Sequence, residues 1–366
     1  MPGVYISYPF CAQKCTYCNF SSGVFGADLE RRYLRALEAE IGSHAWTWRP
    51  ETVYLGGGTP SQMSPGALAR LLSRVPGRPW AEGTIEAAPG TISSETVAAW
   101  VACGINRVSM GVQSFVQREL SRTGRKHTAE LVQREVGLLR ERDFSNFNVD
   151  LIAGLPGQTR QSWTESLEWI KRLEPPHVSV YMLEIDEDSR LGQEVLLNGK
   201  RYGAPDIPTD GLIADFYEMA AYELRRMGIV RYEISNFARP GFESLHNLKY
   251  WRLEPYAGFG SDAHSFDGST RAENVESAVE YVDRWESAKP VRAATTQANR
   301  SEEKFFVGLR LAEGVRPEPQ EWERFDEPIG RFLLAGLLEL DGGVLRLTDR
   351  GVLLSNEVFE EFVGVE

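Results

Sequence analysis

The sequence predicts an α/β protein: a partial (β/α)6 barrel followed by a small, mainly helical, winged-helix-like C-terminal domain. Over residues 1–187, six short apolar or β-branched runs alternate with amphipathic stretches, which is typical of parallel βαβ units. This pattern loosens after Asp188, and a helix-rich unit begins at Ser301. The length of 366 residues also exceeds what one small core needs. These observations predict a large barrel with smaller units after it.

The six predicted strands are separated by helices, as crossover connections between parallel strands require. The predicted strands are Val4–Tyr8, Thr52–Leu55, Thr84–Ala87, Arg107–Met110, Phe147–Ile152 and Val178–Leu183. The predicted helices are Asp28–Ile41, Ala67–Leu72, Ser94–Ala102, Phe115–Leu120, Thr128–Leu139 and Thr159–Leu173. Asp28 and Thr159 are expected to cap the first and the last of these helices. Functional groups of parallel sheets collect at the carboxyl ends of the strands, so a site is expected there.

The rest of the chain is divided into two further predicted units. Residues 188–300 are expected to extend the barrel and to connect it to residues 301–366, which form the C-terminal domain. The elements predicted in these units are a helix over Leu212–Met227, a helix over Glu302–Leu311, two strands joined by Asp341-Gly342-Gly343, and a last helix ending near Phe362.

Composition and charge exclude several classes of protein. The chain has 40 Lys and Arg against 52 Asp and Glu, a formal net charge of −12, and no basic patch of the kind that binds nucleic acid. It has no apolar run long enough to cross a bilayer, and its first residues do not resemble a signal peptide. Three of the four cysteines are clustered, which favours metal ligands in a reducing compartment. We therefore expect a cytoplasmic protein without a transmembrane segment or a nucleic-acid partner.

The strongest motif is a CxxxCxxC run, formed by Cys11, Cys15 and Cys18 directly after the first predicted strand. A 4Fe–4S cluster normally takes four thiolates, so three of them leave one iron open to another ligand. The alternatives are chance cysteines or a zinc site. Structural zinc sites need four ligands, usually as two separated pairs, and the chain has no second pair. Cys103 is expected to pack as a small apolar side chain.

This cysteine spacing after a first strand resembles the hallmark of the radical S-adenosylmethionine (radical SAM) superfamily. The resemblance implies a radical SAM partial barrel, a 4Fe–4S cluster on the three cysteines and S-adenosylmethionine (SAM) on the open iron. An electron from the cluster could then cleave SAM to a 5′-deoxyadenosyl radical. The segments Tyr5–Phe10 and Cys18–Phe20 are similar to the coproporphyrinogen oxidase-like branch, and that similarity covers essentially the whole chain.

The resemblance also implies a set of SAM contacts at the strand ends. The glycine-rich turn that contains Gly57–Thr59 lets the backbone approach a ligand closely. Glu86, Gln113 and Asp150 stand at the ends of apolar strands, where a polar side chain needs a partner. The residues that the resemblance assigns to SAM are Tyr5, Tyr17, Gly57, Gly58, Thr59, Glu86, Gln113, Arg125 and Asp150. No catalytic residue is predicted.

Several positions separate the chain from the oxygen-independent coproporphyrinogen III oxidase. The oxidase has a further cysteine where this chain has Phe20, and it has an extension ahead of the first strand, whereas here Tyr5 follows only four residues. Oxidase activity is therefore not expected. Ser7 and Ala88 stand where the branch usually has histidine and asparagine, which leaves open whether SAM is cleaved.

The string His246-Asn247-Leu248-Lys249-Tyr250-Trp251 resembles the HNxxYW hallmark of the HemW-type heme chaperones. A neutral imidazole is a good axial ligand for heme iron, so His246 is the expected heme ligand. The alternative is a paired core histidine beside packing aromatics. The other histidines are His44, His127, His177 and His264, of which His264 lies in a second matching stretch.

The resemblance implies a heme chaperone that binds heme and passes it to a heme-accepting protein, such as a respiratory enzyme, with an electron donor for the cluster. Two alternatives remain open. One is a radical SAM enzyme that oxidises a porphyrin or opens its ring, for which formation of 5′-deoxyadenosine would have to depend on added porphyrin. The other is a purely structural iron–sulfur protein, which an exposed fourth iron disfavours.

Overall fold

The computed structural model describes residues 1–364; residues 365 and 366, the last two of the predicted C-terminal domain, lie outside the described residues. Twelve strands of the described chain form one sheet. They are β1 Gly3–Tyr8, β2 Thr52–Gly57, β3 Glu82–Ala87, β4 Arg107–Gln113, β5 Phe147–Ala153, β6 His177–Met182, β7 Val230–Arg231, β8 Asn236–Ala238, β9 Tyr256–Phe259, β10 His264–Phe266, β11 Thr270–Asn274 and β12 Arg292–Gln297. Strands β1 to β6 are neighbours in that order and pair in parallel, so the predicted six-stranded core is confirmed.

Helices connect the parallel strands, as the amphipathic patterns predict. They are α1 Ala27–Ser43, α2 Pro65–Leu72, α3 Ser94–Ala102, α4 Gln117–Arg122, α5 Ala129–Arg140 and α6 Arg160–Leu173. Thr159 caps α6, because its hydroxyl accepts a hydrogen bond from the Ser162 N–H at 3.2 Å. The prediction that Asp28 caps α1 is wrong. Gly26 precedes that helix, and Asp28 lies in its first turn, where a carboxylate still interacts favourably with the helix dipole.

Beyond β6 the chain adds strands to both edges of this core. At one edge β9 runs parallel to β1, and β10, β11 and β12 follow in antiparallel order. At the other edge β8 is antiparallel to β6, and β7 is antiparallel to β8. The sequence prediction does not include these six strands. The strands β7 to β10 are only two to four residues long, and β8 and β9 join the sheet by pairing with β6 and β1, of which β1 is distant from β9 in the chain.

The remaining elements surround the sheet and form the C-terminal part. The helices are α7 Arg190–Leu196, α8 Asp210–Arg226, α9 Leu245–Trp251, α10 Ala278–Glu286, α11 Arg300–Phe306, α12 Pro319–Arg324, α13 Asp326–Leu334, α14 Asp349–Leu353 and α15 Ser355–Glu360, with 3-10 turns at Pro60–Gln62, Arg201–Asp206 and Gly308–Arg310. Strands β13 Leu338–Asp341 and β14 Val344–Leu347 form the expected hairpin of the wing. Among the described residues, no helix has the length and apolar character needed to cross a membrane.

Alternation along the parallel strands separates an apolar outer face from a polar inner face. In β4, Val108, Met110 and Val112 are fully buried in the hydrophobic core, and the residues between them point to the opposite side. The polar residues that this alternation places on the inner face of β3 to β6 are Glu82, Thr84, Glu86, Arg107, Ser109, Asn148, Asp150, His177, Ser179 and Tyr181. The barrel therefore has a polar interior that leads towards the carboxyl ends of its strands.

Candidate functional site

A cavity of about 770 Å³ lies at the carboxyl ends of β1 to β6, the edge where the sequence predicts a site. Its wall includes most of the predicted site residues: Cys11, Cys15, Tyr17, Cys18, Gly57, Gly58, Thr59, Glu86, Gln113, Arg125 and Asp150. Tyr5 and His246 lie outside this wall. Residues 353–357, where α14 meets α15, also line the cavity, and no sequence signal predicted that contribution.

The loop after β1 holds the three cysteines against the cavity. The Cys11 N–H donates to the Gly23 carbonyl at 2.9 Å, and the Thr59 hydroxyl lies 3.7 Å from Cys11 Sγ. The Leu191 N–H donates to the Thr16 carbonyl at 2.8 Å, which ties the loop to α7. All three cysteines are half-buried free thiols. The loop is therefore fixed at Cys11 and at Thr16, while its thiols remain available as ligands.

The cysteine loop fits a cluster better than it fits a single metal ion. No three His, Cys, Asp or Glu side chains within residues 1–364 are grouped so that they could hold one ion. A 4Fe–4S cluster binds each thiolate through a different iron, so its ligands stand apart around a wide group. Beside the cysteines, Gln113 Oε1 and Arg125 Nε are buried without a hydrogen-bond partner. Such atoms indicate a wall built for a polar ligand.

The glycine turn after β2 lies directly against the cysteine loop. A Cβ at Gly58 would lie 2.7 Å from the Phe10 carbonyl oxygen, which no side chain tolerates. Gly57 has φ +106°, a conformation that favours glycine. The Gly58 N–H donates to the Tyr8 carbonyl at 2.8 Å, and the Thr59 N–H donates to the Phe10 carbonyl at 2.9 Å. Close contact with the cysteine loop is thus the reason that this turn needs glycine.

Two carboxylates, Glu86 and Asp150, line the cavity from β3 and β5. Glu86 accepts hydrogen bonds from the Tyr54 hydroxyl at 2.9 Å and from the Gly57 N–H at 3.1 Å. Asp150 accepts one from Asn148 Nδ2 at 2.6 Å. Burial, reinforced by the Asp150 charge, raises the pKa of Glu86 to about 7, and burial also raises the pKa of Asp150. This pair can accept hydrogen bonds from the hydroxyl groups of a ligand.

Arg125, Tyr17 and Gln113 form the part of the wall nearest the cysteine loop. Arg125 donates from Nη1 to the Gly111 carbonyl at 2.6 Å and from Nη2 to the Tyr17 hydroxyl at 3.2 Å. Gln113 has φ +71°, which is uncommon for a residue with a side chain, and it stands at a shift in register between β4 and β5. Backbone strain of this kind clusters at ligand sites.

Tyr5 lies one layer behind the cavity wall. Its ring stacks on Tyr54, with ring centroids 6.1 Å apart, and burial raises its pKa well above the usual range. Because the Tyr54 hydroxyl binds Glu86, Tyr5 supports the cavity through Tyr54 instead of facing it.

His246 is fully buried, and both of its ring nitrogens have partners. Nδ1 lies 2.8 Å from Thr52 Oγ1, and Nε2 lies 2.8 Å from the Tyr250 hydroxyl. The ring also stacks on Tyr54, with centroids 5.2 Å apart. Burial lowers the pKa of His246 to about 3, so the imidazole is neutral, as a metal ligand must be.

Two of the other histidines differ sharply in their surroundings. His127 lines the cavity, burial lowers its pKa to about 4, and its Nε2 has no hydrogen-bond partner. His264 is exposed at the start of β10, with Nδ1 4.0 Å from a carboxylate oxygen of Glu273. The sequence offers both residues as alternatives to His246 as the heme ligand, but no feature of the sequence favours His127 over the others.

The barrel, its cysteine loop and the cavity beside it define a radical SAM protein. The model of the radical SAM superfamily matches residues 5–170, and that of the HemN C-terminal domain matches residues 295–354. The fold is similar to that of coproporphyrinogen III oxidase (HemN) from Escherichia coli, with a TM-score of 0.85 and 23% identity, over 99% of this chain and 90% of that chain. The predicted fold class is therefore confirmed, together with the 4Fe–4S cluster and SAM that this superfamily carries.

Full-length relatives narrow the class to one family. The chain is 36% identical to heme chaperone HemW of Bacillus subtilis over 100% of both chains, and 33% identical to that of Lactococcus lactis over 98% of this chain and 96% of the relative. It is also 32% identical to mitochondrial radical S-adenosyl methionine domain-containing protein 1 of Bos taurus, over 97% and 84%. The chain belongs to the HemW family of heme chaperones.

Proposed function

We propose that this protein is a heme chaperone, which binds heme and delivers it to an acceptor protein. The observation that carries the proposal is the similarity to a heme chaperone over the full length of both chains, at 36% identity. The HNxxYW segment supports it, because this segment forms α9 and its His246 is a buried, neutral imidazole. His246 contacts Thr52, the first residue of β2, so it lies towards the amino ends of the strands, away from the cavity.

The proposed cluster ligands are Cys11, Cys15 and Cys18, and the proposed SAM site is the cavity beside them. A bound cluster supplies one-electron chemistry next to SAM. The chain contributes the surroundings: Gly57–Thr59 offers backbone carbonyl groups to the amino group at the methionine end of SAM, and the two carboxylates of the wall accept hydrogen bonds from its hydroxyl groups. The other residues proposed to contact SAM are Tyr17, Gln113 and Arg125, whereas Tyr5 is proposed to support the site only through Tyr54.

SAM affinity is expected to fall as the pH drops below about 7, by up to about tenfold per pH unit. The pKa of Glu86 is raised to about 7, so it becomes protonated below that pH and loses the charge that strengthens its hydrogen bonds to hydroxyl groups. Because the charges of Asp150 and Glu86 interact, the pH dependence of SAM affinity reflects the ionisation of both carboxyl groups. The measurement is a SAM titration of the cluster-bearing protein at several pH values.

The control for this profile compares two acidic residues. Glu86→Gln cannot ionise and should flatten the pH dependence, whereas Glu95→Gln, at an exposed position of α3, should keep it. An unchanged profile in Glu86→Gln would show that another group controls SAM binding.

His246 remains the proposed axial ligand of heme iron. Its Nε2 is hydrogen-bonded to Tyr250, so coordination requires this bond to break first. His246→Ala is expected to weaken heme binding by more than about tenfold, because even residues that only support a metal ligand cost ten- to hundredfold. An anaerobic heme titration followed by absorbance measures this effect, and His264→Ala, at an exposed position, should bind heme as the parent chain does.

Two results would redirect the proposal. If heme binding is saturable, unchanged in His246→Ala and lost in His127→Ala, the proposed axial ligand would become His127, which lines the cavity. Weak, unsaturable heme binding together with porphyrin-dependent formation of 5′-deoxyadenosine would instead favour a radical SAM enzyme that acts on a porphyrin.

We further propose a cytoplasmic location, a heme-requiring acceptor such as a respiratory enzyme, and an electron donor for the cluster. Free cysteines support the reducing compartment, and a formal net charge of −12 supports partners other than nucleic acid. The proposed domains are residues 1–187, 188–300 and 301–366.

A further inference from the structure

A chain of hydrogen-bonded polar side chains runs through the barrel from the cavity to α9. It starts at Asp150, which accepts a hydrogen bond from Asn148 Nδ2 at 2.6 Å. Asn148 Oδ1 lies 2.7 Å from His177 Nδ1, and His177 Nε2 lies 2.9 Å from the Tyr232 hydroxyl. An amide oxygen can only accept, so His177 Nδ1 carries the proton and Nε2 accepts from Tyr232. Burial lowers the pKa of His177 well below its usual range, which is consistent with this neutral form.

The far end of this chain is the start of the HNxxYW helix. The Tyr232 oxygen accepts a hydrogen bond from the Ser244 N–H at 3.2 Å, and Ser244 caps α9 by accepting from the Asn247 N–H at 3.3 Å. Next to this cap, the Glu82 carboxylate accepts hydrogen bonds from the N–H groups of Leu245 at 2.9 Å and His246 at 3.0 Å. The position of α9 is therefore set from inside the barrel.

A second connection reaches the same helix by a separate route. Glu86, which lines the cavity, accepts the Tyr54 hydroxyl at 2.9 Å, and the Tyr54 ring stacks on His246 with an interplanar angle of 28°. Each route starts at a carboxylate of the cavity wall and ends at α9. Asn148, His177 and Ser244 are almost fully buried, so the loss of a hydrogen-bond partner by any of them costs free energy.

We infer that Tyr54, His177 and Tyr232 are positioning residues that couple occupancy of the cavity to the freedom of His246 to bind heme iron. A ligand whose hydroxyl groups bind Glu86 or Asp150 competes with the protein donors for those oxygens. Once these donors are released, Tyr54 and the start of α9 are held less firmly. His246 then gives up its hydrogen bond to the Tyr250 hydroxyl more easily, and its Nε2 becomes free to bind heme iron. This inference rests on the proposed function and adds a regulatory link within it.

The test is the thermodynamic linkage between SAM and heme in the cluster-bearing protein. SAM is expected to tighten heme binding by at least about fivefold, and heme should tighten SAM binding by the same factor. The double variant Tyr54→Phe with Tyr232→Phe keeps both rings but removes both hydroxyls, so the ratio of heme affinities with and without SAM should fall to about one. Each single variant should lower the ratio part of the way.

Tyr281→Phe is the matched control. Tyr281 is fully buried, and its hydroxyl donates to Glu40 at 2.6 Å, between α10 and α1, away from both routes, so the ratio should stay at its original value. A ratio of one or below in the parent protein would overturn the inference while leaving heme binding intact. A ratio that survives in the double variant would also overturn it. Absence of heme binding in the parent protein would instead refute the proposed function.

Discussion

Replacement of Cys15 by alanine is expected to reduce bound iron from about four per chain to almost none after anaerobic reconstitution. In the proposed site each of the three cysteines would provide the only protein bond to one iron of the cluster, and two thiolates in a half-buried loop would not hold it against loss to solvent. The same result is expected for Cys11 and Cys18. Iron and acid-labile sulfide per chain, with the absorbance of the cluster, measure the effect.

Cys103 is the control for this series. It is 5% exposed at the end of α3, remote from the cysteine loop in sequence, and packs in the hydrophobic core. Cys103→Ala should therefore retain the full iron content and lose only a little stability. If the Cys15 variant kept its iron, the assignment of the cluster to this loop would fail.

The part of the site that the sequence predicted consists of short motifs, whose residues lie close together in the chain. The three cysteines, the glycine turn and the polar residues at strand ends each follow a strand that its own apolar run identifies. Once the six strands are parallel, their carboxyl ends must meet at one edge, and the side chains there line one cavity. Phe20, which follows the third cysteine in the same loop, also lines this cavity, and its side chain is exposed.

The rest depends on contacts between residues far apart in the chain. His246 meets Thr52 across 194 positions and Glu82 across 164, so the HNxxYW letters do not reveal that the imidazole is already paired. The attachment of β9 to β1 and of β8 to β6, and the contribution of residues 353–357 to the cavity, likewise depend on residues that are far apart in the chain. The sequence shows polar residues at strand ends, namely Glu86, Gln113 and Asp150, but a polar barrel interior follows only when the sheet is assembled.

The second large effect is expected at Glu82, whose replacement by alanine should lower the free energy of unfolding by about 3–5 kcal/mol. Glu82 is 2% exposed and lies 3.9 Å from Arg107, which is 1% exposed. Its removal leaves a buried guanidinium without this opposing charge and leaves the N–H groups of Leu245 and His246 without an acceptor. Urea unfolding of the variant and the parent chain measures the difference.

Two further variants separate the causes of that loss. Glu168→Ala removes an exposed carboxylate that pairs with Lys171 at 2.6 Å, and it should cost less than about 0.5 kcal/mol. Glu82→Gln keeps an oxygen that can accept from the start of α9 but removes the charge that faces Arg107. Because an unpaired buried charge costs more than a lost neutral hydrogen bond, this variant should lose nearly as much stability as Glu82→Ala. If it is instead as stable as the parent chain, the main role of Glu82 is to hold α9, and the charge of Arg107 is balanced by other groups of the polar interior.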